Sequence, residues 1–204
     1  MGGAPHCALE QRQPLAYRPI EFFAVSRDTS IAGVTASALV LGLSTQTFTI
    51  IHVIISLLAI ASGILVLVGM LRSNQMPGWT AFFLLTTILT SVTGFLFPIR
   101  GFTPAIGTGT VSLVLLGLAL YGLYGKHLAG AWRWIYVATA VASLYLNVLV
   151  LIVQSFQKVP ALKPLAPTQS EPPFLIAQVI ALFAFVVLGT IAALRFRPPA
   201  VSTL

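Results

Sequence analysis

Acidic side chains are nearly missing from this chain. Its 204 residues include 4 Asp and Glu, namely Glu10, Glu21, Asp28 and Glu171, and none of them falls within a long apolar run. Paired carboxylates for general acid–base work are therefore excluded, as is a buried-carboxylate relay that would couple proton flow to transport. Charge of either sign is scarce, at 7% of residues against about 25% in a soluble domain. With 57% hydrophobic residues and a mean hydropathy of +0.97, the surface cannot all face water. A single cysteine, Cys7, excludes an intrachain disulfide and a thiolate metal cluster. Phosphate-binding glycine loops, a nucleophile elbow and metal-ligand spacings are absent too, so the chain shows no catalytic, cofactor-binding or metal-ligating constellation and reads as non-enzymatic.

What it has in quantity is apolar sequence of membrane-spanning length. A helix needs about 20 apolar residues to cross a bilayer, and five stretches qualify: 47–71, 79–98, 107–125, 134–156 and 173–194. Each is continuous rather than alternating, which predicts helices and not barrel strands. The fold class is thus all-α, a polytopic transmembrane bundle of five spans over residues 47–197, with a tail at 198–204. Residues 1–46 read as an N-terminal arm containing a short apolar segment, 31–43, interfacial or re-entrant in character; a full sixth span through it is the alternative. The span ends are marked by Arg72, Arg100, Lys126, Lys158 and Arg195, with Trp79, Trp132, Trp134 and Tyr136 where an aromatic belt would lie.

The 11 Lys and Arg give a formal charge of +7, but they punctuate the apolar runs instead of clustering, which fits lipid phosphates and argues against nucleic acid as a partner. Near the membrane ends they divide into four (Arg27, Arg100, Lys158, Lys163) against five (Arg72, Lys126, Arg133, Arg195, Arg197), a slight lean toward a cytoplasmic C-terminus. The connection 159–173 carries prolines at 160, 164, 167, 172 and 173 and is expected to run extended along the surface.

Polar residues inside the spans are few and aimed. At about 100° per residue, Ser143, Asn147 and Gln154 share one stripe of the fourth span. His52, Ser56, Ala59 and Gly63 share a face of the first, and Thr80, Thr87, Ser91 and Gly94 a face of the second, with Thr86, Thr90 and Thr93 beside it. Small and hydroxylated stripes let membrane helices approach and bond, which accounts for most of this polarity. His52 near the start of the first span, Gln154 near the end of the fourth and Gln178 near the start of the fifth also fall toward one membrane face, with Arg100, Lys158 and Glu171 just outside. His52, Arg100, Asn147, Gln154, Glu171 and Gln178 therefore form a candidate polar rim, with the segment "TQSE" (168–171) expected to fold over it and Glu171 to pair with Arg100 or Lys158. His127 ends the third span on the opposite face, so one haem cannot use both histidines.

The segments "IIHVIISLLAIASGILVLVGML", "GWTAFFLLTTILTSVTGFLFPI", "HLAGAWRWIYV" and "LYLNVLVLIVQSFQKVPALKPLAPTQSEPPF" resemble a group of small polytopic inner-membrane proteins of proteobacteria. The resemblance implies a multi-pass bacterial inner-membrane location and carries no residue role. Three functional classes fit the pattern. The first is a non-catalytic accessory or scaffold subunit of a larger membrane complex, with lipids and partner subunits as its contacts. The others are a small-solute or lipid-handling protein and a redox subunit holding a quinone or haem through His52. The sequence names no cofactor.

Overall fold

The computed structural model describes residues 39–40, 43–97 and 104–197. Over these the chain is an all-α bundle of five helices, each long and apolar enough to cross a membrane. Helix α1 is Thr45–Leu71, α2 Pro77–Phe95, α3 Pro104–Leu120, α4 Trp132–Lys158 and α5 Pro172–Arg195. The helix ends follow local chemistry. Ser44 caps α1 by accepting the Thr47 amide at 3.2 Å, and prolines open α2 and α5 where their missing N–H groups go unneeded. The end of α3 widens into a π turn, Tyr121–Gly125, closed by the Lys126 amide donating to the Tyr121 carbonyl at 2.9 Å.

Two short strands precede the bundle, β1 (Leu39–Val40) and β2 (Leu43–Ser44), paired antiparallel with Leu39 opposite Ser44. The described end of the 31–43 segment is thus a strand pairing that hands over directly to the capped start of α1, and not the tail of a sixth helix. The remainder of that segment, the arm before it, and the end of the second predicted span at Pro98 lie outside the described residues.

Helix α4 is central, packing against α1, α2, α3 and α5, while α5 lies on the outside of α1 and α4. Side chains from every helix meet in one core, including Val66 and Met70 of α1, Phe83 of α2, Leu116 of α3, Val137 and Leu144 of α4 and Ala192 of α5. The outward face of α5 is apolar and open, with Phe183 70% exposed, as expected of a face that meets lipid chains. Trp79 and Trp134 are exposed near helix ends, in keeping with an aromatic belt. Tyr136 departs from that expectation. It is buried in the core with its hydroxyl paired to Thr80, because the ring is mostly apolar and a polar partner on α2 is within reach.

The connection between α4 and α5 is folded, not extended. It turns back on itself through a 3-10 turn, Lys163–Leu165, and buries Ala166 against Phe156 and Phe174, whose rings meet edge to face at 5.6 Å. Packing of this small apolar cluster outweighs the extended preference of a proline-rich segment.

Candidate functional site

Small residues face one another where α1, α2, α3 and α4 meet toward the start of α1. Ser56, Ser91, Gly94, Gly109 and Ser112 fill too little volume to close the gap, and a cavity of about 620 Å³ remains. Its apolar lining includes Ile60 of α1 and Leu146 and Val150 of α4, and Val53 and Leu57 of α1, 43% and 47% exposed, border it where it opens sideways between helices. It reaches the helix ends at Thr45 and Val159, where the exposed Lys158 stands at its mouth.

Three of the six candidate residues line this cavity: His52, Asn147 and Gln154. His52 sits seven residues into α1, about 10 Å along the helix axis. Its Nδ1 lies 2.7 Å from Thr93 Oγ1 on α2, and its ring meets the edge of Phe97 at 5.3 Å. Thr93 Oγ1 also lies 2.7 Å from the Leu89 carbonyl, which has no hydrogen of its own to offer. The Thr93 proton must therefore point at Leu89, so His52 Nδ1 donates to Thr93. Deeper in the bundle, Asn147 Nδ2 donates to Thr87 Oγ1 at 3.4 Å, and Ser91 Oγ, whose proton goes to the Thr87 carbonyl, lies 3.3 Å from Ser112 Oγ.

Three side-chain oxygens are buried without any partner among the described residues, Gln154 Oε1 and Thr90 Oγ1 on residues that line the cavity and Gln178 Oε1 away from it. The second stands out on its own helix. Thr86, Ser91 and Thr93 each return a hydroxyl to the carbonyl one turn back, which is how such residues usually satisfy themselves in a membrane helix, whereas Thr90 does not.

Of the other three candidates, Gln178 and Glu171 separate from this group. Gln178 lies on the seam between α5 and α4, where Nε2 donates to the Leu149 carbonyl at 3.3 Å. Arg100 lies outside the described residues. Glu171 does not reach inward: its carboxylate accepts from the Thr168 amide at 3.0 Å, the Thr168 hydroxyl at 2.8 Å and the Ser170 amide at 3.1 Å, and no ion pair joins it to Lys158. Local donors three and one residues away hold it more readily than a distant cation. Desolvation raises its carboxyl pKa, but the donors from Thr168 and Ser170 outweigh that effect and hold the group below its ordinary value. The residue that does fold inward from "TQSE" is Gln169, whose Nε2 donates to the Val153 carbonyl at 3.1 Å while its Oε1 accepts from Gln157 at 3.2 Å.

The α3 wall was the element least visible from sequence. Gly107, Gly109 and Ser112 form a run of small residues at the start of the third span, and that run is the signal that could have found it. Among the described residues, no group of three or more His, Cys, Asp or Glu could hold a metal ion, and His127 stands in the turn after α3 at the opposite end of the bundle from His52. Comparison with protein-family models, curated proteins and solved structures finds no match for this chain.

Proposed function

We propose that this multi-pass membrane protein binds one amphipathic small molecule in the cavity among α1–α4, and that it does so in a bacterial inner membrane. The observation that carries the reading is a cavity of about 620 Å³ among four helices, with His52, Asn147 and Gln154 set among apolar walls. Packing explains a polar group that finds a partner on the next helix, as Asn147 does in Thr87. Ligand sites occupy roughly 300–1,000 Å³ and combine apolar walls with a few convergent polar groups, the composition seen here.

An accessory or scaffold role accounts for the bonded stripe of Ser143, Asn147 and Thr87 but gives no reason for a gap of this size among four helices, so ligand binding takes precedence. The quinone version of a redox role is one case of the same reading, since a quinone is an amphiphile. The test is native mass spectrometry of the protein extracted in mild detergent. A retained adduct of lipid or quinone mass is expected in the parent and lost in Gly94→Leu, because a side chain at Gly94 points into the cavity near His52, with a β-carbon 3.8 Å from His52 Cε1. Identical spectra for both proteins would overturn the reading.

A further inference from the structure

The cavity is closed on two seams and open on a third. His52 and Thr93 tie α1 to α2, and the Phe95 ring of α2 lies over Gly109 of α3, 3.1 Å from where a β-carbon would stand. Helices α1 and α4 touch deeper in the bundle, where Leu144 fills the space at Gly63. Seven residues along the same stripe of α4, two turns nearer the mouth, Leu151 lines the cavity and is also 38% exposed, and Val53 and Leu57 on α1 line it and are exposed in the same way. A residue that lines a cavity and also meets the outside stands at an edge, so the opening lies between α1 and α4. Among the described residues none of α5 lines the cavity, and α5 does not roof it.

The edge residues are valine and leucine within membrane spans, so the opening faces hydrocarbon. A lipid chain crosses such an edge without changing its surroundings, whereas a polar solute would first have to give up its water. The lining runs from Thr45 to Ile60 along α1 and from Val159 to Leu146 along α4, about 22 Å and about 20 Å at the helical rise, against about 15 Å for the hydrocarbon of one leaflet. The space is thus elongated along the helices, the direction in which the chains of a leaflet run. Its lining holds one charged residue, Lys158, and no Asp or Glu. Lys158 ends α4 and stands at the mouth, the depth at which lipid head groups meet a membrane helix.

We infer that the cavity takes up, sideways from the leaflet, a hydrocarbon chain of an amphiphile with an anionic head, the head resting at Lys158 and the chain running inward between α1 and α4 toward Ile60 and Leu146. This inference rests on the ligand-binding reading above and adds to it the route of entry and the sign of the head. An anionic phospholipid and a free fatty acid share that chemistry.

The test uses the full chain in phosphatidylcholine nanodiscs doped with phosphatidylglycerol or phosphatidylcholine, each bearing the same acyl chain with a diazirine near its methyl end. Cross-links are mapped to residues. The chain end is expected to label α1 and α4 around Ile60 and Leu146 more strongly than the outward face of α5 at Phe183. Phosphatidylglycerol should reach half-maximal labelling there at about a fivefold lower mole fraction than phosphatidylcholine, the scale of one basic residue near an anionic head. Lys158→Gln should abolish that preference. Lys163→Gln, which removes an exposed cation that does not line the cavity, should leave it intact. Since the two lipids are compared on the parent, misfolding of a variant leaves the test standing. Tagged palmitic acid distinguishes the sources, and the anionic carrier that labels at the lower mole fraction is the ligand. Equal labelling by the two phospholipids, or equal effects of the two lysine substitutions, would overturn the inference while the cavity remains a binding site. Labelling confined to Val53, Leu57 and Leu151 would also overturn it, since chains would stop at the opening, and an adduct lost in Gly94→Leu would still uphold the ligand-binding reading. Labelling near Ile60 and Leu146 no stronger than at Phe183, with mass spectra unchanged by Gly94→Leu, would remove both.

Discussion

Gly63 of α1 stands so close to Leu144 of α4 that a β-carbon on it would lie 2.6 Å from Leu144 Cδ1, and 2.8 Å from the Phe83 ring of α2. Three helices converge at this one missing side chain. Both neighbours are fully buried, so neither can swing aside into open space.

The expected result is that Gly63→Ala lowers the thermal midpoint in detergent although alanine is the better helix former. Overpacking costs about 1–3 kcal/mol, against up to about 1 kcal/mol gained from helix propensity. Gly117→Ala on α3, where a β-carbon meets nothing within 4 Å, is the matched control and should be neutral or stabilising. If the two variants melt alike, the three-helix contact is looser than this geometry requires.

Asn147 and Thr87 bridge α4 and α2. Asn147→Leu and Thr87→Val should each destabilise modestly, and their double-mutant cycle should return a coupling of about 0.6 kcal/mol, near the average for bonds between membrane helices. The 3.4 Å separation argues for the average and not the upper end near about 1.7 kcal/mol. A coupling of zero would mean that the asparagine is kept for the cavity alone.

Arg133 near the start of α4 closes the end of α5. Its guanidinium donates to the carbonyls of Ala193 and Phe196 and lies 4.8 Å from the Trp134 ring. A cation at a helix C-terminus satisfies carbonyls that have no intrahelical donor and meets the negative end of the dipole. Arg133→Met should lower stability by about 1–2 kcal/mol, with faster amide exchange confined to the last turn of α5. Arg133→Lys should recover part of the loss, since it keeps the charge but not the fork of donors. Unchanged exchange at Leu194 and Arg195 in the Met variant would count against the cap.

The five spans and the stripe of Ser143, Asn147 and Gln154 are legible in sequence for a physical reason. Hydrocarbon demands continuous apolar runs of fixed length, and the helical repeat fixes which residues share a face. The repeat does not say which helix that face meets. Gln178 and Gln154 look equivalent along the chain, yet one bonds to the Leu149 carbonyl across the α4–α5 seam and the other lines the cavity, a difference set by the crossing of α5 over α4. Tyr136 misleads in the same way, since an interfacial tyrosine and a buried one paired to Thr80 have identical local sequence. Long-range charge points Glu171 toward a cation, whereas backbone amides within three residues hold it.

The same spans fix a sidedness. Since α2 and α3 return and re-cross after α1, and α4 crosses once more in the sense of α2, the turn between α1 and α2 and the connection between α4 and α5 lie on opposite faces. Single cysteines introduced at Asn74 and at Leu165 in a Cys7→Ser background, labelled from one side of sealed vesicles by an impermeant maleimide, should react in a mutually exclusive way. Labelling of both from one side would sink the five-span threading.

The connection itself should respond to acid through Glu171. Its carboxylate organises the turn before α5 by accepting from Thr168 and Ser170, and these donors hold its pKa below the ordinary value against the opposing effect of desolvation. A carboxyl that titrates lower when folded than when unfolded contributes stability that is complete above the ordinary carboxylate range and is lost as pH falls through the depressed value. Protection of the Thr168 and Ser170 amides against hydrogen exchange, corrected for the intrinsic rate, should therefore hold near pH 7 and fall below about pH 4. Glu171→Gln should show the acid-type loss already at neutral pH, because a carboxamide presents a single acceptor oxygen in place of two. Gln169→Ala should loosen the connection at every pH, because the bond from Gln169 to the Val153 carbonyl involves no titrating group. Protection that is independent of pH in the parent, and unaffected by Glu171→Gln, would mean that the buried contacts of Ala166 with Phe156 and Phe174 hold the connection alone.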